Sequence, residues 1–202
     1  MQIVENGNSG TVICIVLNRT RVSVYQKIIT SAKLLLPSSS KVTDMIKEEI
    51  ITFNHLEDLD AESKYLVHRA REATEYAYAP YSKFHVGAAI MLDDGTFITA
   101  SNQENASYPL CMCAERVALY TLSALHNGKK IVNMAIVAHK KNHKELSPAT
   151  SCGACRQVML EFELRQGKSY SIVMLNEQHQ WIKASSVRTL MPFGFTKSSL
   201  ET

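Results

Sequence analysis

The feature that most constrains this chain is a split cysteine cluster. Cys113-Ala114-Glu115 stands in mid-chain and Cys152-Gly153-Ala154-Cys155 downstream, with no other C-x-x-C pair. Three thiolates occupy three corners of a zinc tetrahedron and leave the fourth open, the mark of a catalytic rather than a structural site. Both segments must then converge on one ion, so any fold the chain adopts has to bring these distant stretches together. Unpaired amides and the positive end of a helix favour thiolate over thiol, and the pattern places both motifs at helix starts. Buried structural thiols are the plain alternative, but three at this spacing with a glutamate attached favour metal. A closed zinc site is the stronger rival, because Cys111 offers a fourth sulfur. Cys111 and Cys113 are two apart, which on a helix puts their side chains on different faces; if the helix starts only at Cys113, that objection weakens.

C-x-E followed by C-x-x-C matches the cysteine form of the zinc nucleobase deaminase signature, in which the glutamate is acid/base and not ligand. The flanks are more specific. Residues 79–89 read Ala-Pro-Tyr-Ser-Lys-Phe-His-Val-Gly-Ala-Ala, and 102–108 read Asn-Gln-Glu-Asn-Ala-Ser-Tyr. Cys-Ala-Glu-Arg follows at 113–116, Cys-Gly-Ala-Cys-Arg-Gln at 152–157, and Leu190-Met191-Pro192-Phe193-Gly194-Phe195 near the end. Over about residues 60–200 the chain resembles the cytidine deaminases of the short, homotetrameric type, which act on free nucleosides in pyrimidine salvage.

The resemblance implies hydrolytic deamination of cytidine and deoxycytidine to uridine and deoxyuridine plus ammonia. It implies one Zn²⁺ per subunit, held by Cys113, Cys152 and Cys155, with Glu115 as the proton-transfer residue. Arg116 is expected to tune the thiolates: zinc with three thiolates carries one net negative charge, and a guanidinium bonded to sulfur offsets part of it. Asn102 and Glu104 match the positions that hold the ribose hydroxyls, with Asn105, Ala106 and Tyr108 lining the same turn. Phe84 matches the residue packed on the pyrimidine face. Phe195, or Phe193 nearby, matches an aromatic that closes a neighbouring subunit's pocket. Taken alone, the polar residues after the strand are turn formers, Phe84 a strand core residue and Arg116 a surface salt-bridge former. The chain departs from the family at Ser151, where proline is usual. Serine is a good helix N-cap, so the turn is expected to form without it.

A net charge of +3 is too mild to imply nucleic-acid binding, and the run at residues 139–144 reads as a solvated basic loop. No apolar run is long enough for a bilayer, and residues 1–10 lack a basic secretory start. Five cysteines, an odd count with metal-type spacing, point to a reducing compartment. The expectation is a cytoplasmic protein with a nucleoside substrate, a homo-oligomeric state and no nucleic-acid or membrane partner.

Residues 1–44 carry no catalytic motif, only a β-prone stretch at 11–17, basic residues through Lys27 and Lys33, and Ser38-Ser39-Ser40. They are read as an extension that is disordered or not part of the working protein, with Met45 a natural start and 45–202 the deaminase-like domain. From Asp60 the pattern turns helical, with Leu66, Ala70, Ala73 and Ala77 on one face and Pro80 as the stop. Strands are expected at 84–91 and 96–101 around Asp93-Asp94-Gly95. A helix follows from Cys113 to His126, then a buried strand at 131–138 and a helix from the second cysteine motif. Strands at 171–175 and 181–184 and a short helix at 187–190 complete the reading. This order predicts a three-layer α/β/α fold around a five-stranded mixed sheet.

The same zinc core would serve a deaminase of a modified nucleoside or nucleoside-like antibiotic. A polynucleotide-editing deaminase fits less well, since it typically uses histidine as first ligand and a basic groove that this chain lacks. A non-catalytic zinc interaction module has no need of Glu115 or of the Asn102/Glu104 pair.

Overall fold

The structure, a computed structural model, describes residues 49–201 and, before them, four short strands. The chain divides into two compact units, Met1–Ile46 and Lys47–Thr202. In the first, β1 (Gln2–Glu5) pairs antiparallel with β2 (Val12–Ile15), and β3 (Leu17–Asn18) with β4 (Arg21–Val22). The basic stretch through Lys27 and Lys33, the serine run and Met45 lie outside the described residues.

The second unit holds β5 (Ile50–Phe53), α1 (Ala61–Ala73), β6 (Phe84–Leu92), β7 (Phe97–Ser101) and α2 (Ala114–Leu125). It continues with β8 (Ile131–Lys140), α3 (Gly153–Gln166), β9 (Ser171–Leu175), β10 (Trp181–Ala184) and α4 (Val187–Leu190). The strands form one mixed sheet in the order β5-β10-β9-β8-β6-β7, parallel only between β8 and β9. The sheet therefore has six strands rather than the expected five. The added one, β5, is an edge strand of four residues, three of them exposed, that among the described residues pairs only with β10.

Alternation along the strands builds the three layers. Ala88, Ile90, Met134, Ile136, Ile172 and Met174 face α2 and α3 and pack on Ala118, Leu119, Met159 and Leu160. The intervening Ala89, Ala135, Val137, Val173 and Leu175 face α1 and pack on Leu66, Val67 and Ala70.

Local chemistry sets the element ends. Asp60 caps α1, its carboxylate accepting the Ser63 amide at 2.9 Å. This helix ends at Ala73 and tightens into a 3-10 turn over Thr74–Tyr76, so it stops before Pro80 acts on it. Gly95 (φ +82°) makes the β6–β7 turn, where an L side chain is strained. Gly167 (φ +66°) closes α3, its amide reaching the carbonyls of Glu163 and Leu164. Among the described residues no helix is long and apolar enough to cross a membrane.

Candidate active site

Both cysteine motifs sit where a helix begins. Cys113 is the N-cap of α2 and Cys152 the N-cap of α3, with Cys155 buried in the first turn. The Sγ atoms of the three lie within 4.8 Å of one another, and those of Cys152 and Cys155 are 3.5 Å apart. A tetrahedral ion with metal–sulfur bonds of about 2.3 Å places its sulfurs about 3.8 Å apart, and three thiols gathered this closely are a donor set suited to zinc. Cys111 stands apart from the cluster. Its sulfur accepts the Asn105 amide at 3.2 Å and faces the Asn105 carbonyl at 3.6 Å, which ties it to the preceding loop. The cluster among the described residues thus has three sulfurs and room for a fourth ligand.

Arg116, in the first turn of α2, points its Nη2 at the Cys113 sulfur (3.6 Å) and the Cys111 carbonyl (3.3 Å). The hydrogen bond from Cys155 holds the Cys113 thiol down to about 5, with Arg116 adding to the effect. Cys155, as the donor in that pair, is pushed up. Glu115 is 4 % exposed. Burial raises its proton affinity, and negative charge at Cys113 raises it further, against the opposing hydrogen bond from its own backbone amide. A carboxyl whose protonated form is favoured in this way is suited to taking up a proton and giving it back.

Ser151 does not cap α3. It is buried, and both its amide and its hydroxyl are directed at the Met174 sulfur, at 3.3 and 3.5 Å. Proline has no N–H; with serine here, a buried donor needs a partner, and the thioether supplies it.

The cluster opens into a cavity of about 470 Å³. Phe84, Asn102, Glu104, Cys113, Glu115 and Cys152 all line it, together with Val86, Cys111, Met112, Ile136, Pro148, Ala149, Thr150, Leu175 and Glu177. The loop after β7 is fixed at both ends. Gln103 and Met112 exchange backbone hydrogen bonds at 2.9 and 2.8 Å, and Glu104 donates its amide to the Tyr78 carbonyl at 2.8 Å. The Glu104 carboxylate accepts the amides of Tyr81 (2.8 Å) and Ser82 (3.3 Å), and hydrogen bonding from Ser82 and then Tyr81 holds it below the usual carboxylate range. Asn102 is buried, bound through its side chain to β6.

Not every residue singled out in the sequence faces the cavity. Asn105 closes the loop by accepting the Ser107 amide at 2.8 Å, and Tyr108 rests edge-on against Tyr81, 5.8 Å between centroids. Asn105, Ala106 and Tyr108 are exposed beside the cavity and do not line it. Phe195 is bound to Gln157 of α3 through both backbone groups, and Phe193 is 95 % exposed. Neither lines this chain's cavity. The apolar wall of Val86, Ile136 and Leu175 was not legible beforehand, because strand residues of this kind look identical in a core and in a pocket. Glu177, on the β9–β10 turn, has no motif around it.

Residues 60–169 match the family model described as cytidine and deoxycytidylate deaminase zinc-binding region. A cytidine deaminase of Halalkalibacterium halodurans is 41 % identical over 136 residues, 67 % of this chain and 95 % of that protein. One from Sporosarcina psychrophila is 37 % identical over 136 residues, 67 % of this chain and 92 % of its own. Among solved structures, cytidine deaminase from Burkholderia pseudomallei superposes with a TM-score of 0.53 at 38 % identity, covering 68 % of this chain and all (100 %) of that one. The enzyme from Mycobacterium tuberculosis gives 0.53 at 31 % identity, over 68 % of this chain and 99 % of its own.

Proposed function

Because the chain belongs to the cytidine deaminase family of zinc-dependent hydrolases, we propose that it converts cytidine and deoxycytidine to uridine and deoxyuridine plus ammonia, as a step of pyrimidine salvage. The observation that carries this reading is the convergence of a buried glutamate and a three-thiol cluster on one nucleoside-sized cavity.

Cys113, Cys152 and Cys155 are assigned as the zinc ligands, and Arg116 as the donor that offsets their excess charge. When bound, zinc supplies Lewis acidity and makes water nucleophilic near neutral pH. Glu115 takes a proton from the attacking water, gives it to the pyrimidine ring, and then serves the departing amine. At C4 a C–O bond forms and the C–N bond breaks, so cytidine and water leave as uridine and ammonia.

Phe84 is assigned to the base face, and Asn102 and Glu104 to the ribose hydroxyls. Asn102 retains one N–H and one lone pair after binding β6, which suits a diol. Asn105, Ala106 and Tyr108 are assigned to the rim of the same loop. Phe195, turned away from its own cavity, is assigned to closing that of a neighbouring subunit in a homotetramer. The odd count and metal-type spacing of the cysteines fit a reducing, cytoplasmic setting.

The test is cytidine turnover by the purified zinc-loaded chain, followed by loss of cytidine absorbance and release of ammonia. Stoichiometric uridine and ammonia are expected. A protein that binds one zinc yet leaves cytidine and deoxycytidine untouched would overturn the reading.

A further inference from the structure

We propose that Glu177 is a specificity-determining residue that makes this cavity select unphosphorylated nucleosides over their 5′-phosphates. The inference rests on the deaminase reading above and deepens it. The matching family model spans cytidine and deoxycytidylate deaminases, so that match by itself does not say which residue of this chain would turn a 5′-phosphate away. The charge of the cavity bears on it directly.

Among the described residues three carboxylates, Glu104, Glu115 and Glu177, line the cavity, and no Lys, Arg or His does. A site for a phosphorylated substrate needs cationic groups or several converging amides to replace the water that a phosphate loses. The guanidinium of Arg116, beside the thiol cluster, is engaged with the Cys113 sulfur and the Cys111 carbonyl. Of the three carboxylates, Glu104 is partly compensated by the amides of Tyr81 and Ser82, and Glu115 is buried beside the thiols. Glu177 is exposed, and among the described residues its carboxylate has no hydrogen-bond or ion-pair partner. Its field is therefore the least compensated one at the cavity wall.

The turn that carries Glu177 is built rather than loose. Asn176 Oδ1 accepts the amides of Gln178 and Gln180 at 3.0 and 2.8 Å, and the Asn176 amide reaches the Gln180 carbonyl at 2.9 Å. His179 at φ +56° completes the reversal. The charge is thus held at one place on the lining of the cavity, and a charge on a cavity wall is screened less than one in open water. A phosphate dianion entering there is opposed. At an effective dielectric between protein and water, reversing one such charge changes its acceptance by about tenfold or more.

The experiment compares kcat/KM for deoxycytidine and deoxycytidine 5′-monophosphate in the zinc-loaded full chain, at low and high salt. It uses the wild type, Glu177→Asp, Glu177→Gln and Glu177→Lys, with zinc content and thermal midpoint measured for each. We expect the wild type to favour the nucleoside strongly and Glu177→Lys to lower the nucleoside/nucleotide ratio at least tenfold. Glu177→Gln should fall between, Glu177→Asp should keep the ratio, and salt should shrink the differences. A ratio within twofold of wild type in Glu177→Lys, or a wild type that accepts both substrates equally, overturns the inference while leaving the deaminase reading intact. No turnover of deoxycytidine or of its 5′-monophosphate overturns the deaminase reading and this inference with it.

Discussion

Asn102 Oδ1 accepts the backbone amide of Val86 at 2.9 Å, and from the same side chain Nδ2 donates to the carbonyl of Phe84, also at 2.9 Å. The carboxamide thus clamps the start of β6, the strand that presents Phe84 and Val86 to the cavity. Truncation leaves a partly buried donor and acceptor without partners, a loss of about 1–3 kcal/mol. Asn102→Ala is expected to lower stability by that amount in urea titration and to raise KM for cytidine at least tenfold. A stability loss with unchanged KM would reduce Asn102 to the clamp alone.

Glu115 offers a cleaner separation of metal from chemistry. It is not one of the three clustered thiols, so its loss leaves the sulfur donors in place. Glu115→Ala is expected to keep one zinc per chain by metal analysis while kcat falls by about a hundred- to ten-thousand-fold, the usual worth of positioned acid/base catalysis. Turnover near wild type would remove Glu115 from its assigned role.

The parts of this arrangement that were legible in the sequence are those with local chemistry. A thiol followed by helix-forming residues marks a helix start, so both cysteine motifs could be placed, and α2 and α3 begin immediately after Cys113 and Cys152. The mostly apolar run at 131–138 also declares a buried strand, which the structure extends over Ile131–Lys140. What failed to show depends on distant partners. Ile50–Phe53 is β-prone, but its only partner is β10, near the other end of the chain. Nothing around Ser151 foretold that its amide would turn to Met174, and nothing around Glu177 that the β9–β10 turn would reach the cavity.

Gly87 tests how tightly the sheet and α1 are packed. A Cβ there would stand 1.9 Å from the Ala70 carbonyl oxygen and 3.0 Å from the Thr74 nitrogen, both backbone atoms. No side-chain rotation relieves that overlap, so the helix must move off β6. Gly87→Ala is expected to cost about 3 kcal/mol, at the upper end of overpacking effects, read as a lower urea midpoint at unchanged slope. A midpoint equal to wild type would mean that α1 can shift outward freely.

Asp60 joins α1 to the sheet by charge, and that joint is sensitive to acid. Its carboxylate accepts from the Ser63 amide and hydroxyl at 2.9 and 2.8 Å and from Lys183 Nζ of β10 at 2.6 Å. Partial burial acts to raise its pKa, but the Lys183 and Ser63 hydrogen bonds together outweigh it and hold the group at about 2. A carboxyl depressed in the folded state stabilises fully above its unfolded pKa, near 4, and loses that contribution as pH falls through the folded value. The side chain of Asp60 is 48 % exposed, so solvent screening limits the contribution to about 0.5–1 kcal/mol. Asn is also a good N-cap, which isolates the charge. Asp60→Asn is expected to melt about 1–4 °C below wild type at pH 6, with the gap closing as pH approaches 2. A gap that persists undiminished into acid would assign the stabilisation to the cap geometry and not to the ion pair with Lys183.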